Sequence, residues 1–304
     1  MAWRKRGRIQ EVADLRLESQ FGEEERFRDL MRRMARENKV AVLSFFVIVI
    51  MILAAVFAPI LTPYEENSMD LMQRLARPSA AHPLGTDEGG RDELTRLLYG
   101  ARVSLMIGVV PALLSLILGS VLGEIAGYKG GWVDVVIMRF ADITLAFPSM
   151  LLAMVIIYAL GGGIVNVFLT LTLVNWGNVA RVVRAETLKL KNSEFVEAAR
   201  IIGVSEDKIM RRHILPNCLP TLLVLFTLNV PMSILTESSL SFLGLGIQPP
   251  NASWGLMINT GRQYLYTAPW LSFVPGAAIM LVVMAFNFLG NGLLDVLDPR
   301  HKRQ

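Results

Sequence analysis

The sequence predicts an all-α protein, a polytopic bundle of transmembrane helices. Hydrophobic residues make up 53% of its 304 residues, charged residues make up only 18%, and the apolar residues are grouped in long runs. A backbone inside a lipid bilayer must satisfy its own hydrogen bonds, so such runs are expected to be helices. One transmembrane domain, residues 40–304, therefore follows an N-terminal segment of residues 1–39.

The first apolar run, residues 40–60, contains no charged residue. Roughly 20 apolar residues are enough to cross a hydrocarbon core about 30 Å thick. No small-residue cleavage pattern follows the run immediately, so we expect a retained helix rather than a signal peptide. Similar runs recur along the chain. The six predicted crossings are residues 40–60, 103–126, 143–160, 164–180, 219–236 and 271–294.

The N-terminal segment, residues 1–39, mixes charged residues with apolar ones such as Phe27, Leu30 and Met34. This pattern is typical of an amphipathic helix at the membrane surface. It fits equally well a solvated, charged tail that only fixes the topology, and both interpretations stay open.

Basic residues are concentrated in alternate segments between the predicted crossings. Short cytoplasmic loops hold the excess of positive charge in membrane proteins, and the segment before residue 40 is rich in arginine. Both termini and residues 181–217 are then expected to be cytoplasmic, and residues 63–101 and 237–269 extracytoplasmic. The net charge of +4 follows from this orientation and requires no nucleic-acid partner.

Several patterns predict how the helices pack. Gly119, Gly123 and Gly127 recur every fourth residue, which predicts a close approach by another helix. Arg139 and Asp142 are three residues apart and are predicted to pair near the membrane interface. Four prolines interrupt crossings and predict kinks. They are Pro111, Pro148, Pro231 and Pro275.

A polar, basic segment, residues 190–217, separates the fourth and fifth crossings. A short helix capped by Ser193 is predicted to end at Gly203, because glycine readily adopts the left-handed conformation that ends helices. Ser205 is predicted to cap a second helix, and Pro216 marks the next boundary.

The first of these helices has apolar residues at helical spacing, which predict one apolar stripe. They are Phe195, Ala198, Ala199 and Ile202. Two short helices attached at both ends to membrane helices predict a docking surface. Such a surface could pass the movement of a bound partner to the membrane helices. A purely structural loop is the alternative.

This segment resembles the EAA loop of ABC importer permeases. The matching residues are Glu197, Ala198, Ala199, Gly203, Leu215 and Pro216. The general pattern has isoleucine where this chain has His213, a histidine similar to that of peptide permeases. The resemblance implies a MetI-like permease fold. It also implies that this set of residues, His213 included, forms a coupling helix region that contacts an ATPase subunit.

Other segments are similar to the second permease subunit of the dipeptide and oligopeptide branch. They are residues 82–105, 127–143, 237–255 and 286–300. The resemblance runs from about residue 30 to the end of the chain. Near the C-terminus this branch more often has an acidic and a basic residue where this chain has Asn291 and Leu294, so the residues for an ion pair are missing there.

The resemblance implies a permease that moves peptides across the cytoplasmic (inner) membrane of a prokaryote by alternating access. Its implied partners are a homologous permease subunit, two cytoplasmic ATP-binding subunits and an extracytoplasmic solute-binding protein. The sequence has no G-x-x-x-x-G-K-[ST] loop, so we expect no ATP site, cofactor or enzymatic activity of its own. Extracytoplasmic loop residues are candidate contacts for the binding protein, with loop packing as the alternative. They are Asp87, Arg91, Asp92 and Trp254.

Two alternative functions stay open. The cargo of such a permease is alternatively nickel or another small solute, because close relatives carry these. An ion-driven secondary transporter is the alternative class, but such proteins place ionisable residues near mid-membrane, where most crossings here are uncharged. A membrane enzyme is disfavoured, because the histidines are scattered and Cys218 is the single cysteine.

Overall fold

The computed structural model describes residues 38–297, and within them all regular structure is helical except an isolated bridge between Thr86 and Asp92. The prediction of an all-α fold is confirmed. The helices are α1 (Lys39–Val56), α2 (Ala58–Leu61), α3 (Glu93–Lys129), α4 (Gly131–Ala146), α5 (Ser149–Leu160), α6 (Ile164–Lys191), α7 (Glu194–Ile201), α8 (Glu206–Ile209), α9 (Leu215–Phe242), α10 (Trp254–Gly261) and α11 (Trp270–Leu297). The amphipathic helix predicted within residues 1–39 lies outside the described residues.

Four helices of the described chain are long and apolar enough to cross a membrane: α1, α3, α11 and the continuous helix Glu206–Phe242 that contains α9. Helices α4 and α5 together make a fifth candidate, bent by 97°. The predicted count of six crossings is therefore not confirmed. The remaining long helix, α6, has 28 residues but carries Asn175, Asn178 and Arg181, which lower its apolar character.

The bend between α4 and α5 divides the predicted crossing 143–160. Phe147 is extended, with φ −95° and ψ 144°, because the ring of a following proline disfavours the helical conformation. Pro148 then precedes the first residue of α5. This proline separates two helices, whereas the other three prolines predicted to kink crossings lie inside α3, α9 and α11.

Helices α3 and α6 pack closely along the predicted glycine face. A Cβ atom added at Gly119 would lie 2.6 Å from the Val179 Cβ, and one at Gly127 would lie 2.8 Å from the Arg184 carbonyl oxygen. Gly123 lies directly against the backbone of Ala180. The prediction of a close helix contact is confirmed, and the partner helix is α6.

Ion pairs join α4 to α6. Asp134 accepts hydrogen bonds from Arg184 at 2.5 and 2.6 Å, and Asp142 accepts one from Arg181 at 2.8 Å. The predicted pair of Arg139 with Asp142 is therefore wrong. Local spacing favoured it, but antiparallel packing brings arginines of α6 to both carboxylates.

A π-helical turn, Met210–Ile214, joins α8 to α9. The Leu215 N–H donates to the Met210 carbonyl oxygen, five residues back, so the hydrogen-bond register shifts by one residue before Pro216. The chain passes this proline without interrupting the helix, which runs from Glu206 to Phe242. The predicted boundary at Pro216 is therefore a change of hydrogen-bond register at the start of α9, and not a break in the helix.

The apolar cores lie at different levels of the bundle. One core, around Ala112, Val230 and Val282, lies where α1, α3, α9 and α11 meet. A second, around Ile209 and Ile214, joins α7 and α8 to the ends of α3, α6 and α9. We call this the helix-turn-helix end. The opposite end, with residues 62–92 and α10, is called the loop end.

Candidate functional site: the helix-turn-helix at one end of the bundle

The turn between α7 and α8 depends on Gly203. Its φ is +85°, in the left-handed region. The Val204 N–H donates to the Ala199 carbonyl oxygen at 3.1 Å, and the Gly203 N–H donates to the Arg200 carbonyl oxygen at 3.0 Å. These bonds satisfy carbonyl groups that the end of α7 would otherwise leave free. The prediction that Gly203 ends the helix is confirmed.

The two serines lie at the predicted N-cap positions but do not cap with their side chains. Ser193 and Ser205 are both extended, and neither hydroxyl accepts a hydrogen bond from the following turn. The Ser193 hydroxyl instead donates to the Leu190 carbonyl oxygen at 2.6 Å. Ser193 therefore fastens the start of α7 to the end of α6.

The inner face of α7 anchors the helix to the bundle. Val196 is fully buried and Ala199 is 5% exposed. Both belong to the same apolar core as Ile209 and Ile214 of the following helical segment and Tyr128 at the end of α3. The site is therefore packed against α3 as well as joined to α6 and α9 through the chain.

The outer face of α7 carries exposed apolar side chains. Phe195 is 42% exposed, Ile201 80% and Ile202 58%. Of the four residues of the predicted stripe, only Ala199 is buried, and the other three are exposed. The charged residues Glu194, Glu197 and Arg200 are also exposed on this short helix, and Val196 rather than Phe195 turns inward. Clustered apolar side chains outside the bundle are typical of a surface that another protein covers.

The predicted coupling residues occupy three kinds of position. Glu197, Ala198 and Gly203 are exposed on α7 and its turn. Ala199 is buried beneath them. The remaining three residues lie in or next to the π turn, where two are half-buried and one is exposed. They are His213, Leu215 and Pro216.

Sequence reasoning missed the contact between the site and the end of α3. The Lys191 ammonium donates to the Tyr128 carbonyl oxygen and lies 5.3 Å from the centre of the Tyr128 ring, where a cation is attracted by the ring face. Lys191 is the last residue of α6, and Tyr128 follows Gly127 of the glycine face. The end of that face was the signal that another helix passes close to Tyr128, although the sequence does not identify it as α6.

The four candidate residues at the loop end are buried. Asp87 accepts a hydrogen bond from the Arg91 guanidinium at 2.6 Å. Asp92 accepts one from the Thr95 N–H at 2.8 Å and so caps α3. The Trp254 indole donates to the Leu97 carbonyl oxygen at 3.1 Å. These contacts hold the loop end together, and a direct contact of the four side chains with a binding protein stays a prediction.

Two family models match the chain. The model described as "Binding-protein-dependent transport system inner membrane component" matches residues 115–303. The model described as "N-terminal TM domain of oligopeptide transport permease C" matches residues 26–78. The larger match includes the whole helix-turn-helix.

Similar proteins match over most of the chain. The dipeptide transport system permease protein DppC of Alkalihalophilus pseudofirmus is 43% identical over 270 residues, covering 89% of this chain and 89% of that protein. The oligopeptide transport system permease protein OppC of Bacillus subtilis is 40% identical over 277 residues, covering 91% and 90%. The glutathione transport system permease protein GsiD of Pectobacterium atrosepticum is 42% identical over 277 residues, covering 91% and 92%.

A solved structure shares the fold. A chain of the MetNI methionine ABC transporter, from a study of its inward-facing conformations, matches with a TM-score of 0.53 and 19% identity, covering 67% of this chain and 97% of that chain. This likeness shows the fold alone and confirms the predicted MetI-like architecture. From the family models and the relatives together, the chain belongs to the binding-protein-dependent transport system inner membrane components, in the family of dipeptide and oligopeptide transport permeases.

Proposed function

We propose that this chain is the permease subunit of an ATP-driven importer of peptides, and that the outer face of α7 receives an ATPase subunit. The observation that carries the proposal is the exposed apolar surface of Phe195, Ile201 and Ile202 on a helix whose other face is anchored in the bundle. An anchored helix with an open apolar face can bind a partner and pass its movement to the bundle.

The peptide cargo is proposed from the relatives, whose names include dipeptide, oligopeptide and glutathione permeases. Glutathione is itself a short peptide, so the three names share one chemical class. Nickel or another small solute is the alternative cargo. Uptake assays with labelled di- and oligopeptides and with nickel distinguish the two classes.

The proposed assembly pairs the chain with a homologous permease, two ATP-binding subunits and an extracytoplasmic solute-binding protein, and the chain itself is a non-enzymatic subunit. The helix-turn-helix end then faces the cytoplasm, in agreement with the excess of basic residues in 181–217. The loop end faces the binding protein. Exposed residues there, such as Met72, are better placed for contact than the buried Asp87 or Asp92.

We propose alternating access as the mechanism. Closure of the ATPase subunits moves α7, and the bundle changes from an inward-open to an outward-open state that accepts the cargo. The partner need only bind one state more tightly than the other, because a population shift from 1:99 to 99:1 requires about 5.5 kcal/mol of differential binding.

Reconstitution in proteoliposomes tests the function. With the sister permease, the ATPases and the binding protein present, peptide uptake is expected only when ATP is supplied. Uptake by this chain alone, driven by a proton or sodium gradient, would show the ion-driven secondary transporter instead.

A further inference from the structure

Helix α7 is joined directly to the end of α6, so a movement of α7 reaches α6 first. The contacts that would pass this movement on to α4 are much weaker. No side chain between Gly131 and Phe140 is fully buried, and Ala141 is the one fully buried residue of α4. Ala141 contacts α6 where the helices cross closely: a Cβ added at Gly177 would lie 3.3 Å from the Ala141 carbonyl oxygen. Apolar packing of α4 against α6 therefore centres on Ala141 with the half-buried Met138, and the turns of α4 before Met138 contribute no residue to this cluster.

An ion pair joins the first turn of α4 to α6. The Asp134 carboxylate accepts from both the Nε and the Nη2 atoms of Arg184, at 2.5 and 2.6 Å. Bidentate, charge-assisted pairs of this kind are the strong class of hydrogen bond and also fix orientation. The side chain of Asp134 is 16% exposed and that of Arg184 33% exposed, so water screens the pair only in part.

The second ion pair of the same helices is weaker. Arg181 and Asp142 share a single contact of 2.8 Å, and their side chains are 55% and 49% exposed. Exposed pairs of this kind contribute little, because water screens them and ordering two long side chains costs entropy. Of the two ion pairs between α4 and α6, the pair of Asp134 with Arg184 is therefore the stronger one.

The position of the pair connects the coupling site to the bent helices. Arg184 lies seven residues before Lys191, the end of α6, so about 10 Å of helix separates it from α7. Asp134 lies in the first turn of α4, just after Gly130 and Gly131, which both have positive φ and no contacting atoms at their Cβ positions. The turn before Asp134 therefore has open space beside both of its glycines.

We propose that the ion pair of Asp134 and Arg184 transmits the movement of α6 and α7 to α4 and, through the 97° bend, to α5. The two residues are positioning residues for transport, and the inference rests on the proposed function. Without the pair, α6 moves with the ATPase while the first half of α4 stays behind. ATP is then hydrolysed with less peptide moved.

The test is a charge exchange in the complete reconstituted transporter. Asp134→Arg and Arg184→Asp alone are each expected to lower the peptide taken up per ATP hydrolysed about tenfold, the factor that corresponds to 1.4 kcal/mol. The double variant restores a pair and is expected to recover the ratio to within about twofold of the parent. Arg139→Glu is the matched control, because Arg139 is an exposed residue of α4 with no ion pair among the described residues.

The outcomes separate the possibilities. Single variants with the parent ratio, a double variant no better than the singles, or an equal loss in the Arg139 control would overturn the inference. If the single variants do not assemble, Asp134→Asn keeps the size and removes the charge, and its ratio is still expected to fall. If the parent complex, which carries no substitution, shows no ATP-driven uptake, the proposed function is contradicted instead.

Discussion

At Gly203 the backbone conformation alone determines how well another residue is tolerated. Its φ is +85°, and no atom lies within 4 Å of the position that a Cβ would occupy. A residue with a side chain is therefore strained by its backbone and not by a clash. The strain in this conformation is roughly 1–2 kcal/mol, and it falls on the angle between α7 and α8.

Gly203→Val is expected to leave membrane insertion intact and to lower peptide uptake per ATP, because the docking helix no longer holds its angle. The measurement is uptake and ATP hydrolysis in the same proteoliposomes. Gly161→Val is the matched control, with φ +84° and equally open surroundings at the end of α5. An unchanged ratio in the Gly203 variant, or an equal loss in the control, would contradict the coupling role of this turn.

Glu197 is an exposed carboxylate in the proposed ATPase-binding surface. Glu197→Lys is expected to weaken the binding of the ATPase subunit more than that of the sister permease, because it reverses the charge on the docking face only. Co-purification from membranes measures both losses. Glu65→Lys, an exposed charge reversal at the loop end, is expected to change neither, and equal losses of both partners from the Glu197 variant would reject the assignment.

At this scale the sequence predicts backbone constraints better than burial. The left-handed glycine at 203 follows from residue type, because glycine tolerates this conformation at little cost. The buried face of α7 does not follow, because the spacing of its apolar residues cannot tell a packed face from a docking face. Which one is buried depends on Ile209 and Tyr128, which approach through the tertiary fold.

Among the elements, the contact of α3 with α6 is the closest helix packing that the sequence predicts. Glycines every fourth residue indicate a smooth face, although they do not name its partner. The ion pairs of α4 escape prediction because Asp134 and Arg184 are 50 residues apart, whereas Arg139 is a near neighbour of Asp142. The continuous helix through Pro216 could not be predicted, because the π turn before it has no sequence signature of its own.

Gly119→Ile is expected to destabilise the purified protein by about 1–3 kcal/mol, because the added atoms overpack the contact with Val179. Thermal unfolding in detergent measures the loss. Val121→Ile adds a single methylene to the same helix at a side chain that is 47% exposed, and it is expected to be nearly neutral. If Gly119→Ile unfolds at the parent temperature, the close contact of α3 and α6 is wrong.

At the scale of the whole molecule, the two ends of the bundle are separated by the full length of α3. Its 37 residues span about 55 Å, so a push on α7 reaches the loop end only through the helices. The family and the helical fold follow from sequence motifs and apolar runs. The number of crossings does not, because α6 combines buried apolar residues with the polar Asn175, Asn178 and Arg181, which lower its mean apolarity.

Orientation is a property of the whole chain that labelling can measure. In a Cys218→Ala background, which removes the single buried cysteine, Lys208→Cys is expected to be labelled only from the cytoplasmic side. Met72→Cys, 95% exposed at the loop end, is expected to be labelled from the outside by an impermeant maleimide. Reversed accessibility of the two positions would contradict the proposed orientation.

Cysteine cross-linking at Ile201 tests the central claim most directly. Ile201 is 80% exposed on α7, so Ile201→Cys in the Cys218→Ala background is expected to insert and assemble normally. With a maleimide–benzophenone reagent, whose photoactivated ketone inserts into C–H bonds and needs no cysteine on the partner, the complete complex is predicted to give an adduct between residue 201 and the ATPase subunit, and Met72→Cys to give none. Absence of the Ile201 adduct from a complex that transports peptide with ATP would contradict the claim that this face of α7 receives the ATPase.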